Sequence, residues 1–342
     1  MSTAATASLP KVVDGKIQSL AITYTTGKSP LKVQTIEFPV ASADKLVKPT
    51  DVLVKTKAST INPVDCILRS LAPSWYKGSV VKVLGGDFSG VVVDAGSESG
   101  SKVGDRVYEN MSFNQAASLP VVGGTGYQIL KSHDVDSLKG SHVLILGGGT
   151  SVGNYSIQFA KHYFGAKTIV ATCSSRSFER VRKFGADTLV DYTKGKTHEL
   201  NGILESVKTN GKFDIVVDCV RDPIIYGSLD TVLKYSKEGG VYAQVSGSKK
   251  MNYKGVSILD LIPQWFFFFE TLKEKLGLSN FKFVGFMEGS DPKFTSAVEQ
   301  LWKKSKLIVD IDSTHDWKTD YEAAFDKVAL CKAKGKVILE FD

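Results

Sequence analysis

The chain has 342 residues, 42% of them hydrophobic and 23% charged, with a formal net charge of +7 and a mean hydropathy of −0.04. That length exceeds one ordinary core and indicates two domains, and the composition is that of a soluble globular protein. The positive balance permits attraction to anionic cofactors or lipid surfaces, but scattered lysines with no basic stripe and no interleaved aromatics exclude nucleic acid as an expected partner.

Short β-rich runs at 17–23, 33–37, 52–58 and 90–93 are split by Pro, Gly and Asp turns, which predicts a partly open antiparallel β domain. Alternating strands and helices follow. The apolar strand 143–146 runs into Gly147-Gly-Gly-Thr-Ser-Val-Gly153, and a helix is expected over 154–164. A strand at 168–172, a helix at 178–184 capped by Gly185, and a strand at 188–191 come next. Then come a helix at 200–208, a strand at 213–218, a helix at 224–235, and strands at 241–245 and 281–286. Strands separated by helices imply right-handed crossovers and a parallel sheet covered on both faces. The C-terminal part carries helices at 294–304 and 321–331 and a closing strand at 336–341, which is expected to return to the first domain.

The glycine-rich turn carries the most chemistry. A strand–turn–helix of this kind brings a pyrophosphate against backbone N–H groups that the helix start leaves unpaired. In the G-x-G-x-x-G frame Thr150 stands at the middle position, so the motif alone is weak. The position for a ribose-binding acid, about 20 residues past the last glycine, holds Thr172 and Cys173, followed by Ser174, Ser175 and Arg176. Hydroxyls and an arginine suit a 2′-phosphate, so NADPH is expected over NADH. Ser174 and Ser175 also suit a helix cap, and one geometry serves both roles.

Four cysteines, Cys66, Cys173, Cys219 and Cys331, lie far apart with no C-x-x-C. That excludes a structural zinc site of the usual spacing and fits a reducing, intracellular compartment. Residues 1–10 lack the charged and apolar blocks of a signal peptide. The block 256–269, which ends in Trp265 and four phenylalanines, is shorter than a membrane span and is interrupted by Asp260 and Pro263. It reads either as a buried segment or subunit contact, or as a lipid-docking patch with Trp265 and the phenylalanines inserted and Lys273 and Lys275 at the headgroups.

Taken together, several motifs resemble the medium-chain dehydrogenase/reductase superfamily and its quinone oxidoreductase-like branch. They are Ala58-Ser-Thr-Ile-Asn-Pro-Val-Asp65 with Arg69, Gly85-Gly-Asp-Phe-Ser-Gly-Val91, Gly104-Asp-Arg-Val107, Ala116-Ala-Ser-Leu-Pro120, Gly124-Thr-Gly-Tyr127, the glycine turn, Lys183-Phe-Gly-Ala-Asp187 and Gly335-Lys-Val337. The turn, Cys173-Ser-Ser-Arg-Ser-Phe-Glu-Arg180 and the aromatic block further resemble the fungal Yim-like subgroup, which is associated with lipid droplets and mitochondria. The resemblance implies an α/β fold. A Rossmann-type doubly wound parallel sheet (122–290) would join a GroES-like, partly open β-barrel catalytic domain (1–121), to which 291–342 returns.

Zinc-dependent relatives hold the catalytic metal through Cys and through His in Gly-His-Glu. Here the matching places carry Asn62, Gly86 followed by Asp87, and Val121-Val122, so no metal is expected. The resemblance then implies hydride transfer from NADPH to a small hydrophobic quinone, enone or related carbonyl substrate. It assigns Asn62 to the nicotinamide, Thr125 to the ribose-nicotinamide end, and Ser151, Val152 and Gly153 to the pyrophosphate. Ser174, Arg176 and Tyr192 fall to the 2′-phosphate, Val220, Ser246 and Gly247 to the later strand ends, and Lys336 to a contact folding back onto the cofactor. Tyr76 is the candidate proton donor, with Asn62 beside the reacting ring and solvent as the other proton source. Homodimers are common in the family.

Relatives place a few dozen residues between the Gly-Asp-Arg-Val motif and the Ala-Ala-Ser-Leu-Pro motif, whereas here Val107-Tyr108 runs straight into Glu109. The rival expectation is a catalytically weak or inactive relative that serves as an interaction module at lipid droplets or in membrane-protein traffic.

Overall fold

The computed structural model describes residues 9–42, 44–72, 81–106, 108, 110–133, 137–245, 252–262, 265–286, 289 and 291–341. In chain order the first strands are β1 (Val12–Val13), β2 (Lys16–Tyr24), β3 (Lys32–Pro39) and β4 (Val52–Ile61), then helix α1 (Pro63–Leu71), β5 (Lys82–Val83) and β6 (Asp87–Ala95). Helices α2 (Phe113–Ala117) and α3 (Pro120–Gln128) precede β7 (His142–Leu146), α4 (Ser151–His162), β8 (Thr168–Cys173), α5 (Phe178–Phe184), β9 (Thr188–Asp191) and α6 (Lys196–Asn210). Next come β10 (Ile215–Asp218), α7 (Leu229–Val232), β11 (Val241–Val245), α8 (Ile258–Leu261), α9 (Trp265–Lys275), β12 (Lys282–Phe286) and α10 (Pro292–Lys303). The chain closes with β13 (Ile311–Asp316), α11 (Tyr321–Ala329) and β14 (Lys336–Glu340).

The chain divides into two compact units, one of Met1–Pro120, Lys250–Ser257 and Ile311–Asp342, the other of Val121–Lys249 and Ile258–Asp310. The first unit thus resumes at Ile311 rather than at 291, because α10 buries Ala297, Val298 and Leu301 within the second unit. It also recovers a short stretch before α8, where Tyr253 N–H donates to Ala329 O and Ser70 Oγ to Tyr253 O.

In the second unit six strands pair in the order β12-β11-β10-β7-β8-β9, all parallel. This is the doubly wound Rossmann order, with the reversal point between β7 and β10. Both faces are covered, so β7 and β10 are buried along their whole length and read as continuous apolar runs. The helix expected over 224–235 is instead a 3₁₀ turn (Pro223–Ser228) followed by the single-turn α7. Leu233 leaves the helix to bridge Phe213 alongside the sheet.

The first unit holds two four-stranded sheets, one built on β1-β2-β3 with β5, the other ordered β13-β14-β4-β6. The antiparallel expectation holds for the pairs among β1–β6 and for β14 with β4, but β13 and β14 run parallel, joined by α11 as a crossover. A core of Ile22, Leu31, Ile61, Cys66, Phe325, Val337 and Leu339 lies between the sheets and the helices α1 and α11. No described helix is long and apolar enough to cross a membrane.

Candidate functional site

The nucleotide turn is built by steric necessity. Gly147 N–H donates to Thr172 Oγ1 at 3.1 Å and Gly148 N–H to Thr172 O at 2.9 Å, which ties the turn to β8. Helix α4 starts at Ser151, three residues earlier than expected, because Thr150 is its N-cap. The Thr150 hydroxyl accepts from Gly153 N–H at 3.0 Å and donates to Gly147 O at 2.8 Å. A threonine at the middle position of the motif is therefore the residue that closes the turn. With the Gly153 amide taken by the cap, the Ser151 and Val152 amides are the first-turn donors that have no intrahelical acceptor. Gly153 serves another purpose: a Cβ there would lie 2.3 Å from Gly147 O. Arg180 braces the same turn, donating to Gly149 O at 2.9 Å and to Asp310 at 2.7 Å.

Beside this turn, Ser174 stands at the N-terminal position of a 3₁₀ turn (Ser175–Ser177) at the end of β8 without a side-chain capping bond, its hydroxyl 3.4 Å from Ser177 Oγ, and Arg176 is exposed there. Tyr192, on the next strand end, is 47% exposed. Between them lies a group the sequence reading passed over. Asp191 is paired in register with Cys173, and its carboxylate accepts from Thr193 Oγ1 at 2.6 Å and Thr193 N–H at 3.0 Å. The Thr193 hydroxyl, with Ser175 adding to it, holds this carboxyl below its ordinary range. An ionised acid thus stands one strand over from the place where sequence spacing looked for one. The Asp191-Tyr192 dipeptide was the available signal.

Val220, just past β10, packs at the turn, 2.5 Å from where a Gly147 Cβ would stand. Thr125 is buried in α3, its hydroxyl donating to Val121 O at 2.7 Å. Tyr76, Ser246 and Gly247 lie outside the described residues.

The first unit carries a separate buried polar cluster. Strand register places Val337 opposite Ile61, and Thr60 opposite Asp87. Lys336, Asn62 and Asp87 are thereby brought together from distant parts of the chain. Lys336 Nζ donates to Asn62 Oδ1 at 2.6 Å and approaches Asp87 Oδ2 at 3.2 Å. The same Asp87 oxygen accepts from Asn62 Nδ2 at 2.9 Å and Thr60 Oγ1 at 3.1 Å. All four residues are buried. Lys336 therefore does not reach solvent, and its charge is met by Asp87. Asp65, in the first turn of α1, accepts from Asn62 N–H at 2.7 Å. Burial, with the nearby Asp87 charge adding to it, pushes the Asp65 carboxyl up to about 6.

Among the described residues no group of three or more His, Cys, Asp or Glu is placed to hold a metal ion. The donors at the expected zinc position also do not fit one. Asn62 and Asp87 are already engaged by an ammonium, whose charge opposes a divalent cation.

The aromatic block divides by face. Phe267 turns inward against Phe283 and Phe266 stacks on Tyr226 at 4.2 Å, so these two phenylalanines serve the core. Trp265, Phe268 and Phe269 are exposed and touch one another.

Residues 48–151 match the family description "Alcohol dehydrogenase GroES-like domain", and residues 151–303 match "Zinc-binding dehydrogenase". The chain belongs to the medium-chain dehydrogenase/reductase superfamily, a family of oxidoreductases that use nicotinamide cofactors. It is 28% identical to Protein YIM1-2 of Lachancea thermotolerans, covering 95% of this chain and 98% of that one. That alignment spans 365 positions, more than this chain has residues, so the relative carries segments this chain lacks. The fold is similar to that of the quinone oxidoreductase from Coxiella burnetii, with a TM-score of 0.70, 21% identity and coverage of 95% and 100%. It is also similar to the CurK enoyl reductase, with a TM-score of 0.68, 20% identity and coverage of 96% and 100%.

Proposed function

We propose that this oxidoreductase is zinc-independent and uses NADPH to reduce quinones, enones or related activated double bonds. The observation that carries the reading is the turn at Gly147–Gly153, whose Ser151 and Val152 amides open at a helix start beside a strand end bearing Ser174 and Arg176. A pyrophosphate fits the amides, and a 2′-phosphate fits the hydroxyl and the guanidinium. Asp191 works against that phosphate, so Arg176 must outweigh it for NADPH to be preferred. A bound reduced nicotinamide would supply a hydride, and a proton from solvent completes reduction of a quinone to its quinol. Such an acceptor has an electron-poor carbon and needs no metal-polarised alkoxide. In the first unit Lys336 and Asp87 hold the Asn62 carboxamide in one orientation, as a positioned group requires.

Titration of the protein with NADPH and NADH tests this reading. NADPH should bind about tenfold more tightly. Arg176→Ala should narrow the gap and Asp191→Asn should widen it. Equal weak binding of both would defeat the proposal.

A second reading, docking on a lipid surface, rests on α9. Trp265 is 71% exposed and Phe268, Phe269, Leu272 and Leu276 follow it at helical spacing, with exposed Lys273 and Lys275 alongside. An indole at the edge of an apolar stripe flanked by lysines suits the headgroup boundary of a droplet or membrane, in keeping with the chain's net charge of +7.

A further inference from the structure

Ligands of open parallel sheets lie at the carboxyl ends of the strands, and at one such end of the second unit a short apolar segment is fastened in place. Strand β10 ends at Asp218, whose buried carboxylate accepts from the Val220 and Asp222 amides at 3.0 and 3.2 Å and from Tyr242 Oη at 2.8 Å. These bonds fold the chain into a tight turn with Arg221 at φ +57°. That conformation suits glycine, not a long side chain. Arg221 is nonetheless buried, and its Nη2 donates to Ile262 O at 2.9 Å, with Nη1 toward Asp260 O at 3.5 Å. Those carbonyls lie at the end of α8, four residues long and too short to persist unaided. The guanidinium satisfies groups that the helix end leaves open and pins α8 beside β10.

The pinned segment presents apolar surface. Ile258 is 72% and Leu259 69% exposed, and Ile262 is exposed as well. Val220, next to Arg221, packs against Gly147 of the nucleotide turn. One strand end therefore carries both the wall of the cofactor turn and the anchor of an exposed apolar segment.

We propose that Ile258, Leu259 and Ile262, anchored by Arg221, form the wall that selects the hydride acceptor, favouring a quinone or enone with an alkyl substituent over an unsubstituted or charged one. This rests on the oxidoreductase reading above. The three apolar side chains meet the acceptor, and Arg221 is a positioning residue. The Asp260 carboxylate on the same segment adds discrimination against anionic acceptors.

The test uses the full chain with NADPH and two acceptors, 1,4-benzoquinone and a 2-alkyl-1,4-benzoquinone. Leu259→Ser, Ile262→Ser and Arg221→Gly should each raise KM for the alkylated quinone about tenfold, and KM for benzoquinone by a clearly smaller factor. Glycine accepts the left-handed backbone at 221 but takes the guanidinium from the Ile262 and Asp260 carbonyls, so Arg221→Gly should melt somewhat below the parent protein. Leu259→Ser, at an exposed position, should melt like the parent and separate loss of the wall from unfolding. Quenching of tryptophan fluorescence by the alkylated quinone, read without turnover, should weaken in parallel. Equal changes for both acceptors, or none, overturn the wall. Failure of the oxidoreductase reading has another signature: the parent protein oxidises NADPH with no acceptor at all. In that event, quenching that Leu259→Ser abolishes still supports the apolar wall, and quenching that it leaves unchanged, or no quenching of the parent protein, overturns it.

Discussion

Replacing Gly153 by alanine isolates the steric basis of the nucleotide turn. The added Cβ would sit 2.3 Å from Gly147 O and 2.9 Å from Gly148 Cα, both backbone atoms with no rotamer to yield. Ordinary contact begins at 3.4 Å, so the start of α4 must retreat by about 1 Å from the turn. Overpacking of this kind costs about 1–3 kcal/mol, set against about 1 kcal/mol that alanine gains over glycine in a helix. The retreat stretches the Gly153 to Thr150 cap and shifts the Ser151 and Val152 amides, so NADPH affinity should fall at least about tenfold. Gly149→Ala is the control, because its Cβ would meet nothing closer than 3.5 Å. Urea denaturation and NADPH titration of the two variants read both effects. A Gly153→Ala protein that melts and binds like Gly149→Ala would refute the close-approach argument.

Three further outcomes are expected. The Asp65 carboxyl titrates at about 6 in the fold against 3.8 when unperturbed, so its contribution to stability is full below the lower value and is lost as pH rises through the upper one. That loss is about 3 kcal/mol, and Asp65→Asn, which keeps an acceptor for the Asn62 amide, should be more stable than the parent at pH 7.5 but not at pH 4; identical pH profiles in urea melts would contradict this. Lys336→Met leaves the Asp87 carboxylate buried without its cation and should cost about 3–5 kcal/mol, most of it recovered by adding Asp87→Asn; additive losses in the double-mutant cycle would mean the two side chains are not coupled. Replacing Trp265, Phe268 and Phe269 together by serine should stop co-flotation with anionic phosphatidylglycerol-containing vesicles while leaving the melting temperature intact, whereas unchanged flotation, or a dimer that the substitutions convert to monomer, would count against lipid docking.

Local signals in the chain carried much of this. The strand–glycine–helix unit is contiguous, and the bonds that shape its turn come from Thr150 and Thr172, with Arg180 bracing Gly149 from the next helix, so residues 143–180 carry most of what specifies it. The parallel sheet was legible because strands buried on both faces must be apolar throughout, as β7 and β10 are. Strand β13, Ile-Asp-Ser-Thr-His-Asp, escaped notice because it lies at a sheet edge and is only partly buried, so its sequence has no apolar alternation. The helix expected at 224–235 was lost to Leu233, which pairs with the sheet instead of continuing the turn.

The chain's residues, taken in order, determined the two-domain α/β plan and the place of the dinucleotide turn, since period and turn chemistry act over a few residues. Tertiary structure alone decided that Lys336 meets Asn62 and Asp87, that Asp191 faces Ser175, and that Phe267 turns inward while Trp265 faces out. Those outcomes depend on strand register and on which helix face finds a neighbour. Neither is written into a local window, because pairing across the fold joins residues that the chain keeps far apart.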